Sequence, residues 1–276
     1  MSATRELAVR DRVLRFGDDV THVMAVVNLS PESRVRESVV ASPEAALARA
    51  RAARDAGASI IDLGAQSSHF ENRALEPAEE IGRLLPALEL LVAEGFVVSV
   101  DTWKPDVAAV AVASGASIVN DTGGLRDERM VELVADEPVG AVVMHIEGAN
   151  PLEVGDRSFV DGAPAAVAAA LRARVLELAA QGVDRVLLDP GLSINYRSDY
   201  AAYGRLQLET IRSLDEIRLA GPVLVPVPRK REDHRMLAYL TLSIEHGADV
   251  LRVHDFEAAC DLVPYLGRRL GSADAA

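Results

Sequence analysis

The sequence has few cysteines, no block of basic residues and no long apolar run, and these absences exclude several large classes of protein. It contains one cysteine, Cys260, which excludes an internal disulfide framework and a metal site built from several cysteines. The formal net charge is −13 and there is no basic block, so we expect no nucleic-acid partner. No apolar run approaches the ~18 residues of a membrane span. The first residues, MSATRELAVRDR, are charged and lack the apolar core of a signal peptide, so we expect a cytoplasmic protein without membrane contact.

The chain does have a repeated alternation of short apolar runs and helix-like stretches. Each run ends in a polar, titratable or glycine residue, except the seventh, which Arg229 and Lys230 follow closely. Asn28 and His254 are 226 positions apart, which makes seven steps of about 32 residues. One strand and one crossover helix need about that length. Eight such units predict a single-domain α/β fold, the (β/α)8 TIM barrel. The predicted strands are residues 22–28, 59–64, 96–101, 117–120, 140–145, 185–189, 222–227 and 249–254.

The same alternation sets the predicted boundaries. Residues 1–21 are predicted to form a lead-in, with a hairpin that turns at residues 17–18 and closes the bottom of the barrel. Residues 22–270 are predicted to form the barrel and residues 271–276 a C-terminal tail. Long segments follow four of the strands on the catalytic face, where we expect them to act as lids; they are residues 29–42, 65–76, 146–161 and 191–200.

Polar residues stand at the ends of the predicted strands. Because the C-terminal ends of all eight strands of a TIM barrel meet on one face, these residues are predicted to be neighbours in space. A single polar strand end often only caps the next helix, an alternative that stays open for Asp62 and Asp121, and Asn28 has the alternative of capping its loop. His145 is more typical of a packed residue than of a catalyst. The set is Asn28, Asp62, Asp101, Asn120, Asp121, His145, Asp189, Arg229, Lys230, Arg252 and His254.

The charges of this set are unevenly distributed. The cations follow predicted strands 7 and 8, where TIM barrels commonly bind a phosphate group. Arg229 and Arg252 suit bidentate contacts with such a group, and Lys230 suits a point charge. The carboxylates Asp101 and Asp189 are expected to lie apart from the cations, where they suit a flat, nitrogen-rich ligand whose N–H groups need acceptors. The sequence therefore predicts a pocket for a heterocycle with an anionic tail.

These residues stand in motifs that resemble those of the dihydropteroate synthase family. The resemblance covers nearly the whole chain in the family's order, and four of the motifs together are specific where any one alone is weak. It implies a pterin-binding TIM barrel, usually dimeric. It also implies a transferase that joins 6-hydroxymethyl-dihydropterin diphosphate to p-aminobenzoate and releases diphosphate, with Mg²⁺. The motifs are NLSP (28–31), DLGAQSS (62–68), SVDTWKPDVA (99–108), GASIVNDTGG (115–124), VMH (143–145), LDPG (188–191), PRK (228–230) and RVHDF (252–256).

The resemblance also implies a role for seven residues. Carboxylates would stabilise the positive charge that develops as diphosphate leaves, and the arginine and Mg²⁺ would stabilise the departing anion. The residues implied to hold the pterin ring are Asp101, Asn120, Asp189 and Lys230. The resemblance thus assigns Lys230 to the ring, whereas the charge distribution alone assigns it to the anion. The residues implied to hold the diphosphate and its magnesium are Asn28, Arg252 and His254. Asn28 is the predicted metal ligand, and the predicted catalytic residues are Asp101, Lys230 and Arg252.

Several loops depart from the family's pattern. The first loop of the family reads roughly NVTPDSFSDGG, whereas this chain has NLSPESRVR at 28–36, with arginines in place of an aromatic and an acid of the p-aminobenzoate site. Ser-Thr-Arg-Pro in the second loop becomes SSHF at 67–70. A glycine-aromatic-glycine-lysine segment becomes SINY at 193–196, and Pro228 replaces a serine. We predict that pterin recognition is retained and that the acceptor is p-aminobenzoate or a different nucleophile.

Three hypotheses about function stay open. The first is a divergent transferase of this family, and the second is a catalytically silent paralogue that binds pterin. The third is a pterin-dependent methyltransferase, which shares the barrel and the pterin-binding strand ends. The combination of Lys230, Arg252 and His254 favours diphosphate chemistry, because a methyl carrier has no diphosphate to bind.

Overall fold

The structure is a computed structural model of the chain, and it describes residues 5–33, 35–69, 71–154, 156–157, 163–194, 196–228 and 233–276. The strands are β1 Arg5–Val9, β2 Arg12–Phe16, β3 Val20–Asn28, β4 Ile60–Gly64, β5 Val98–Asp101, β6 Ile118–Asp121, β7 Gly140–Met144, β8 Asp156–Arg157, β9 Val186–Asp189, β10 Arg197–Ser198, β11 Leu224–Pro226, β12 Val250–Val253, β13 Arg269–Leu270 and β14 Ala273–Ala275. The helices are α1 Pro43–Ala56, α2 Pro77–Ala93, α3 Pro105–Ala113, α4 Glu128–Asp136, α5 Ala163–Ala179, α6 Tyr200–Arg212, α7 Leu214–Arg218, α8 Asp233–Glu245 and α9 Phe256–Tyr265, with a short 3-10 helix at Arg36–Ser38.

Eight parallel strands form the wall of a barrel. They lie side by side in the order β11, β12, β3, β4, β5, β6, β7 and β9. The two edges of this sheet meet where Leu188 pairs with Val223, and the Leu188 N–H donates to the Pro222 carbonyl at 2.9 Å, so the barrel is nearly closed. Each of the eight strands overlaps its predicted range. The prediction of a TIM barrel is confirmed.

Helix α1 illustrates how the sequence starts and stops a crossover helix. Pro43 occupies its first turn, and the Ser42 hydroxyl caps it by accepting the Ala45 N–H at 3.2 Å. The helix ends at Gly57, whose φ of 116° is in the left-handed region that favours glycine. A Cβ at Gly57 would lie 2.7 Å from the Leu270 side chain.

Among the described residues, no helix is long and apolar enough to cross a membrane.

The barrel strands separate two kinds of environment. Side chains that point outward, such as Ile61 and Leu63 of β4, are buried against the helices in the main hydrophobic core. Side chains that point inward change character along the strand: Ile60 belongs to an apolar layer at the bottom, and Asp62, two residues later, is fully buried above it. The period of two along each strand therefore places polar side chains inside the barrel near its C-terminal mouth.

A small sheet closes the bottom of the barrel. Strands β1 and β2 form an antiparallel hairpin, and β14 pairs with β2 on its other side. Leu14 and Phe16 pack into the apolar layer at the bottom. The predicted hairpin turn at residues 17–18 is wrong: the hairpin turns at residues 10–11, where Arg10 has a φ of 52°. Residues 17–18 instead connect β2 to β3, which lie in different sheets.

Candidate active site

A cavity of about 830 Å³ lies at the C-terminal ends of the barrel strands. This volume is within the range of about 300–1,000 Å³ that small-molecule sites occupy. Its walls come from the loops that follow β3, β4 and β9, together with residues of α6. The strand residues that line it include Asn28, Gly64, Asp101, Pro226 and Arg252, followed by His254. The cavity therefore lies on the face where the sequence predicts the site.

Arg252 crosses the cavity floor and joins two carboxylates. Its Nε donates to Asp62 Oδ2 at 2.7 Å and its Nη2 donates to Asp101 Oδ2 at 2.6 Å. All three residues point into the barrel, and the arginine side chain is long enough to reach from β12 to β4 and β5. The prediction that Asp101 lies apart from the cations is wrong for this pair, because the interior of the barrel is narrow enough for a guanidinium to span.

Asp62 is the centre of the hydrogen-bond network beneath the cavity. Its Oδ1 accepts the Ser99 hydroxyl at 2.7 Å and the Asn120 Nδ2 group at 3.2 Å, in addition to the Arg252 contact. The Asn120 Oδ1 atom is buried and has no hydrogen-bond partner among the described residues. A buried acceptor without a donor costs roughly 1–3 kcal/mol. A ligand N–H group or a water at this point would remove that cost.

The role of Asp62 and Ser99 was not predictable from spacing alone. For Asp62, helix capping and function were equally open, but the contacts place it within the polar floor. Ser99 stands two residues before Asp101 on β5, and the two side chains share the inner face of the barrel. That period of two was the available signal. Asp121 follows Asn120, and its carboxylate accepts the N–H groups of Gly123 and Leu125 at 2.6 and 2.9 Å. These are loop residues, and α4 is capped by Asp127, so Asp121 holds the loop and does not cap the next helix.

Burial governs the protonation of the site carboxyls. Burial raises the pKa of Asp101 to about 7, against the opposing effect of the Arg252 guanidinium. Burial also raises the pKa of Asp189 to about 7, although the Gly191 N–H at 2.6 Å stabilises the charged form. Burial lowers the pKa of Arg252, but the carboxylates of Asp62 and Asp101 outweigh it and leave that pKa raised. Among the described residues, the floor thus holds more carboxyl groups than Arg252 alone can neutralise.

Two predicted ring-binding residues lie deeper than the cavity lining. Asn120 is 1% exposed and Asp189 is 3% exposed, whereas Asp101 keeps 16% of its side chain exposed. Both belong to the inner face of the barrel, and Asp189 interacts electrostatically with Arg252 and Asp101. A flat ligand that reaches the floor would meet Asp101 first, with Asn120 and Asp189 behind it.

Asn28 and His254 stand on one side of the cavity, at the ends of the neighbouring strands β3 and β12. Asn28 Oδ1 accepts the Ser30 N–H at 2.8 Å, so Asn28 caps the loop that follows it, as the alternative interpretation predicts. His254 Nδ1 lies 2.8 Å from the Ser38 hydroxyl, which fixes the orientation of its ring. Both side chains line the cavity next to Arg252. An anionic ligand group would find its polar contacts on this side.

The donor set near Asn28 suits one kind of metal ion. Within the described part of the chain, no group of three or more His, Cys, Asp and Glu side chains could hold a metal by itself. Mg²⁺ commonly keeps several waters and binds to one or two protein oxygens together with substrate phosphates. A single amide oxygen from Asn28 fits a magnesium ion that enters with a phosphorylated ligand.

Three residues of the predicted set need separate comment, because two are not described and the third, His145, is not among the residues that line the cavity. Arg229 and Lys230 lie outside the described residues, so the predicted role of Lys230 stays a prediction. His145 is half-buried and its Nε2 is 3.9 Å from a carboxylate oxygen of Glu147, which agrees with a packed strand-end residue. Two further residues that line the cavity, Tyr203 and Gln207, were not predicted from the sequence, because they lie within α6 and not at the end of a strand.

A TIM barrel whose last strand supplies an arginine to a polar floor, beneath a cavity of this size, defines a class of small-molecule-binding barrels. The sequence model described as pterin binding enzyme matches residues 24–254. The chain is 32% identical to the dihydropteroate synthase of Mycobacterium leprae (strain TN), over 89% of this chain and 92% of that protein. The chain therefore belongs to the dihydropteroate synthase family of pterin-binding enzymes, as the motifs predicted.

Other relatives agree in sequence and in structure. The folate synthesis bifunctional protein of Arabidopsis thaliana is 32% identical over 88% of this chain. The chain spans 57% of the length of that plant protein and about half the length of two further plant relatives. The dihydropteroate synthase of Thermus thermophilus in complex with 4-aminobenzoate matches with a TM-score of 0.80 and 37% identity, over 95% of this chain and 98% of that one. The same enzyme in complex with 6HMPPP matches with a TM-score of 0.74 and 35% identity, over 95% of this chain and 97% of that one.

Proposed function

We propose that the protein is a dihydropteroate synthase-like transferase. It joins a 6-hydroxymethyl-dihydropterin diphosphate to an amine acceptor. In this reaction the amine nitrogen forms a bond to the methylene carbon of the pterin, the bond from that carbon to the diphosphate oxygen breaks, and the amine gives up a proton. Diphosphate leaves with the electron pair of the broken bond. The solved relative from Thermus thermophilus is named in complexes with 4-aminobenzoate and with 6HMPPP, which supports both substrates.

The observation that supports this proposal most directly is the composition of the cavity floor. Asp101, Asp189 and Asn120 Oδ1, which has no hydrogen-bond partner among the described residues, offer buried acceptors to a ring rich in N–H donors. The Asp101 carboxylate is also suited to stabilise the positive charge that develops on the pterin methylene as diphosphate leaves. Arg252, with Nη2 already within 2.6 Å of Asp101, is the cation available to the departing anion.

The diphosphate is proposed to bind between Arg252 and the Asn28 and His254 side chains, which line the same side of the cavity. Lys230 is proposed to contact the pterin ring, on the strength of the PRK motif. Asn28 would supply a side-chain oxygen to Mg²⁺, which when bound neutralises charge on the leaving diphosphate. The residues of this chain then have two tasks: they orient the ring and exclude water from the methylene carbon.

The acceptor is proposed to be p-aminobenzoate or another amine. The loops after β3, β4 and β9, which depart from the family's pattern, all contribute residues to the cavity lining. These include Glu32, Arg36, Ser67, Ser68 and His69. Pro228, which replaces the family's serine, lines it too. Holding the amine close to the methylene carbon and out of water is the main requirement, and this requirement does not depend on a particular acceptor.

Two further properties are proposed from the family. We propose a cytoplasmic homodimer. Leu176 on α5 and Leu219 after α7 are 67% and 80% exposed, and these two helices are neighbours on the outside of the barrel. Light scattering after gel filtration would show a dimer mass; a monomer at micromolar concentration would contradict the dimer.

One assay separates the active transferase from the silent paralogue. Purified protein is incubated with 6-hydroxymethyl-7,8-dihydropterin diphosphate, Mg²⁺ and 4-aminobenzoate or a panel of other aryl and alkyl amines, and released diphosphate is measured together with the product mass. We expect amine-dependent release of diphosphate and a product that contains the pterin and the amine. An Asp101→Asn variant is the negative control. Tight binding without turnover with any amine would favour the silent paralogue, and absence of binding would contradict the proposed function.

A further inference from the structure

The loop at residues 190–194, which we name the β9 loop, forms one wall of the cavity through Leu192, Ser193 and Ile194. Its start is fixed tightly against the barrel. Gly191 has a φ of 75°, and a Cβ at this position would lie 2.1 Å from the His145 carbonyl oxygen. The Gly191 N–H donates to the Asp189 carboxylate at 2.6 Å. The position of this loop and the orientation of the Asp189 carboxyl are therefore linked.

The other side of the β9 loop is held by two side chains of α6. Tyr203 and Gln207 stand one helical turn apart and both line the cavity. The Tyr203 hydroxyl lies 2.9 Å from the Ile194 carbonyl and 3.2 Å from the Leu192 carbonyl. The Gln207 Nε2 group donates to the same Leu192 carbonyl at 2.5 Å. The Leu192 and Ile194 carbonyls of the loop thus accept hydrogen bonds from the helix.

A second helix supports this arrangement from outside. The Tyr239 hydroxyl of α8 donates to Gln207 Oε1 at 3.1 Å, which orients the amide so that its Nε2 group faces the loop. Tyr203 is 9% exposed and Gln207 is 1% exposed, so water competes little for these hydrogen bonds. Burial also raises the pKa of Tyr203, so its hydroxyl stays a donor across the physiological range.

We propose that Tyr203 and Gln207 are positioning residues for the pterin side of the site. They hold the β9 loop in the place that shapes the ring pocket and keeps the Gly191 N–H on Asp189. They act through the loop and take no part in the chemistry. This inference deepens the proposed function and depends on it for the identity of the ligand, whereas the anchoring of the loop can be tested without any ligand.

The test compares Tyr203→Phe and Gln207→Met with a matched control, Tyr265→Phe, which alters a tyrosine that is 82% exposed on α9. For Tyr203→Phe, which loses one hydrogen bond, we expect the Kd and KM for the pterin diphosphate to rise about five- to tenfold. The KM for 4-aminobenzoate should stay within twofold of the wild-type value, and the control should match the wild type in both. Equal losses for both substrates, or an unchanged pterin Kd, would overturn the positioning role.

Hydrogen exchange separates this inference from the proposed function. In Tyr203→Phe, the backbone amides at Gly191, Leu192, Ser193 and Ile194 should exchange faster, while the amides of the barrel strands keep their wild-type rates. If the wild-type protein binds no pterin diphosphate and yet this local change occurs, the proposed function fails and the anchoring of the loop stands. If the exchange of these four amides is unchanged, the anchoring itself is contradicted.

Discussion

At the scale of single residues, the site is defined by several carboxyl groups that share one guanidinium. Asp62, Asp101 and Asp189 all interact with Arg252, and burial raises the pKa of Asp101 and Asp189 to about 7. Within the part of the chain that the structure describes, these three carboxyl groups share the charge of Arg252. A ligand with N–H donors for the carboxyl groups and an anionic group for the arginine would satisfy both. A pterin diphosphate has this combination, with the N–H groups on its ring and the anion in its diphosphate.

Replacement of Asp101 by asparagine tests the ring-binding role of this carboxylate. Asp101→Asn keeps the shape of the side chain and removes the charge, so pterin binding should weaken by about 1.5–3 kcal/mol, the value of a hydrogen bond to a charged group. Titration calorimetry with a pterin diphosphate gives the affinity. Asp136→Asn, on an exposed position of α4, is the matched control and should bind like the wild type. An unchanged affinity in Asp101→Asn would remove Asp101 from the pocket.

The raised pKa of Asp189 predicts a pH dependence of folding. The pKa is about 7 in the folded protein and 3.8 in its ordinary state, so between pH 4 and 7 the folded state binds a proton that the unfolded state has lost. This group therefore stabilises the fold increasingly as the pH falls from about 7 to about 4, with a slope of up to about 1.4 kcal/mol per pH unit.

Urea unfolding of the wild type and of Asp189→Asn from pH 4.5 to 7.5 isolates this contribution. The variant cannot titrate at this position, so its free energy of unfolding should rise less as the pH is lowered. Because Asp101 interacts electrostatically with Asp189, the difference between the two curves reports the titration of Asp189 together with the change that its replacement causes in Asp101. Parallel curves would mean that the pKa of Asp189 is not raised in the folded protein.

At the scale of secondary-structure elements, a buried ion pair holds the loop after β4 over the cavity. Lys104, just before α3, contacts Glu80 of α2 at 2.6 Å and donates to the Leu75 carbonyl at 2.7 Å. Glu80 is 1% exposed. The residues from Gln66 to His69 in this loop line the cavity. The pair therefore fixes a loop that lines the cavity.

Removal of Lys104 should be costly because it leaves a buried charge. Lys104→Met is expected to lower the free energy of unfolding by about 3–5 kcal/mol, since Glu80 loses its only ion-pair partner among the described residues. The double variant Lys104→Met with Glu80→Leu should recover part of this loss, because neither charge is then buried. Chemical denaturation of the three proteins measures the effect. A single variant as stable as the wild type would show that the pair contributes little.

The elements show which parts of the site the sequence could predict. Apolar runs that end in Asn28, Asp101 or Asp189 marked the strands and the face on which their ends meet, because burial on both sides of a parallel strand leaves few polar positions. The contact between Arg252 and Asp101 was not predictable, since spacing along the chain does not encode the distance across a barrel. Tyr203 acts on the loop through a helix and a tertiary contact, which no local pattern records.

At the scale of the whole molecule, the barrel has a closed bottom and a polar mouth. The β1–β2 hairpin packs Leu14 and Phe16 against the apolar layer, so the polar floor lies between a dry core and the cavity. The alternation of runs along the chain predicted the barrel. The hairpin turn was predicted at residues 17–18 because Gly17 is typical of a turn. The hairpin turns instead at residues 10–11, which contain no glycine.

Phe16 tests the importance of this bottom layer. It is 1% exposed, and Phe16→Ala would leave a cavity under the barrel, with an expected loss of about 3–5 kcal/mol of unfolding free energy. Urea unfolding gives the value. Tyr265→Ala, at a tyrosine of α9 that is 82% exposed, is the control and should change stability by less than about 0.5 kcal/mol. Equal effects of the two substitutions would mean that the hairpin does not seal the barrel.

A crystal structure with bound 6-hydroxymethyl-7,8-dihydropterin diphosphate tests the account most directly. The account predicts the pterin ring against Asp101 with its N–H groups toward Asn120 and Asp189, and the diphosphate between Arg252 and His254. It also predicts that the Arg252 guanidinium leaves Asp101 for the diphosphate. A ligand bound elsewhere on the barrel, or an empty cavity in which Arg252 still bridges Asp62 and Asp101 at saturating ligand, would contradict it.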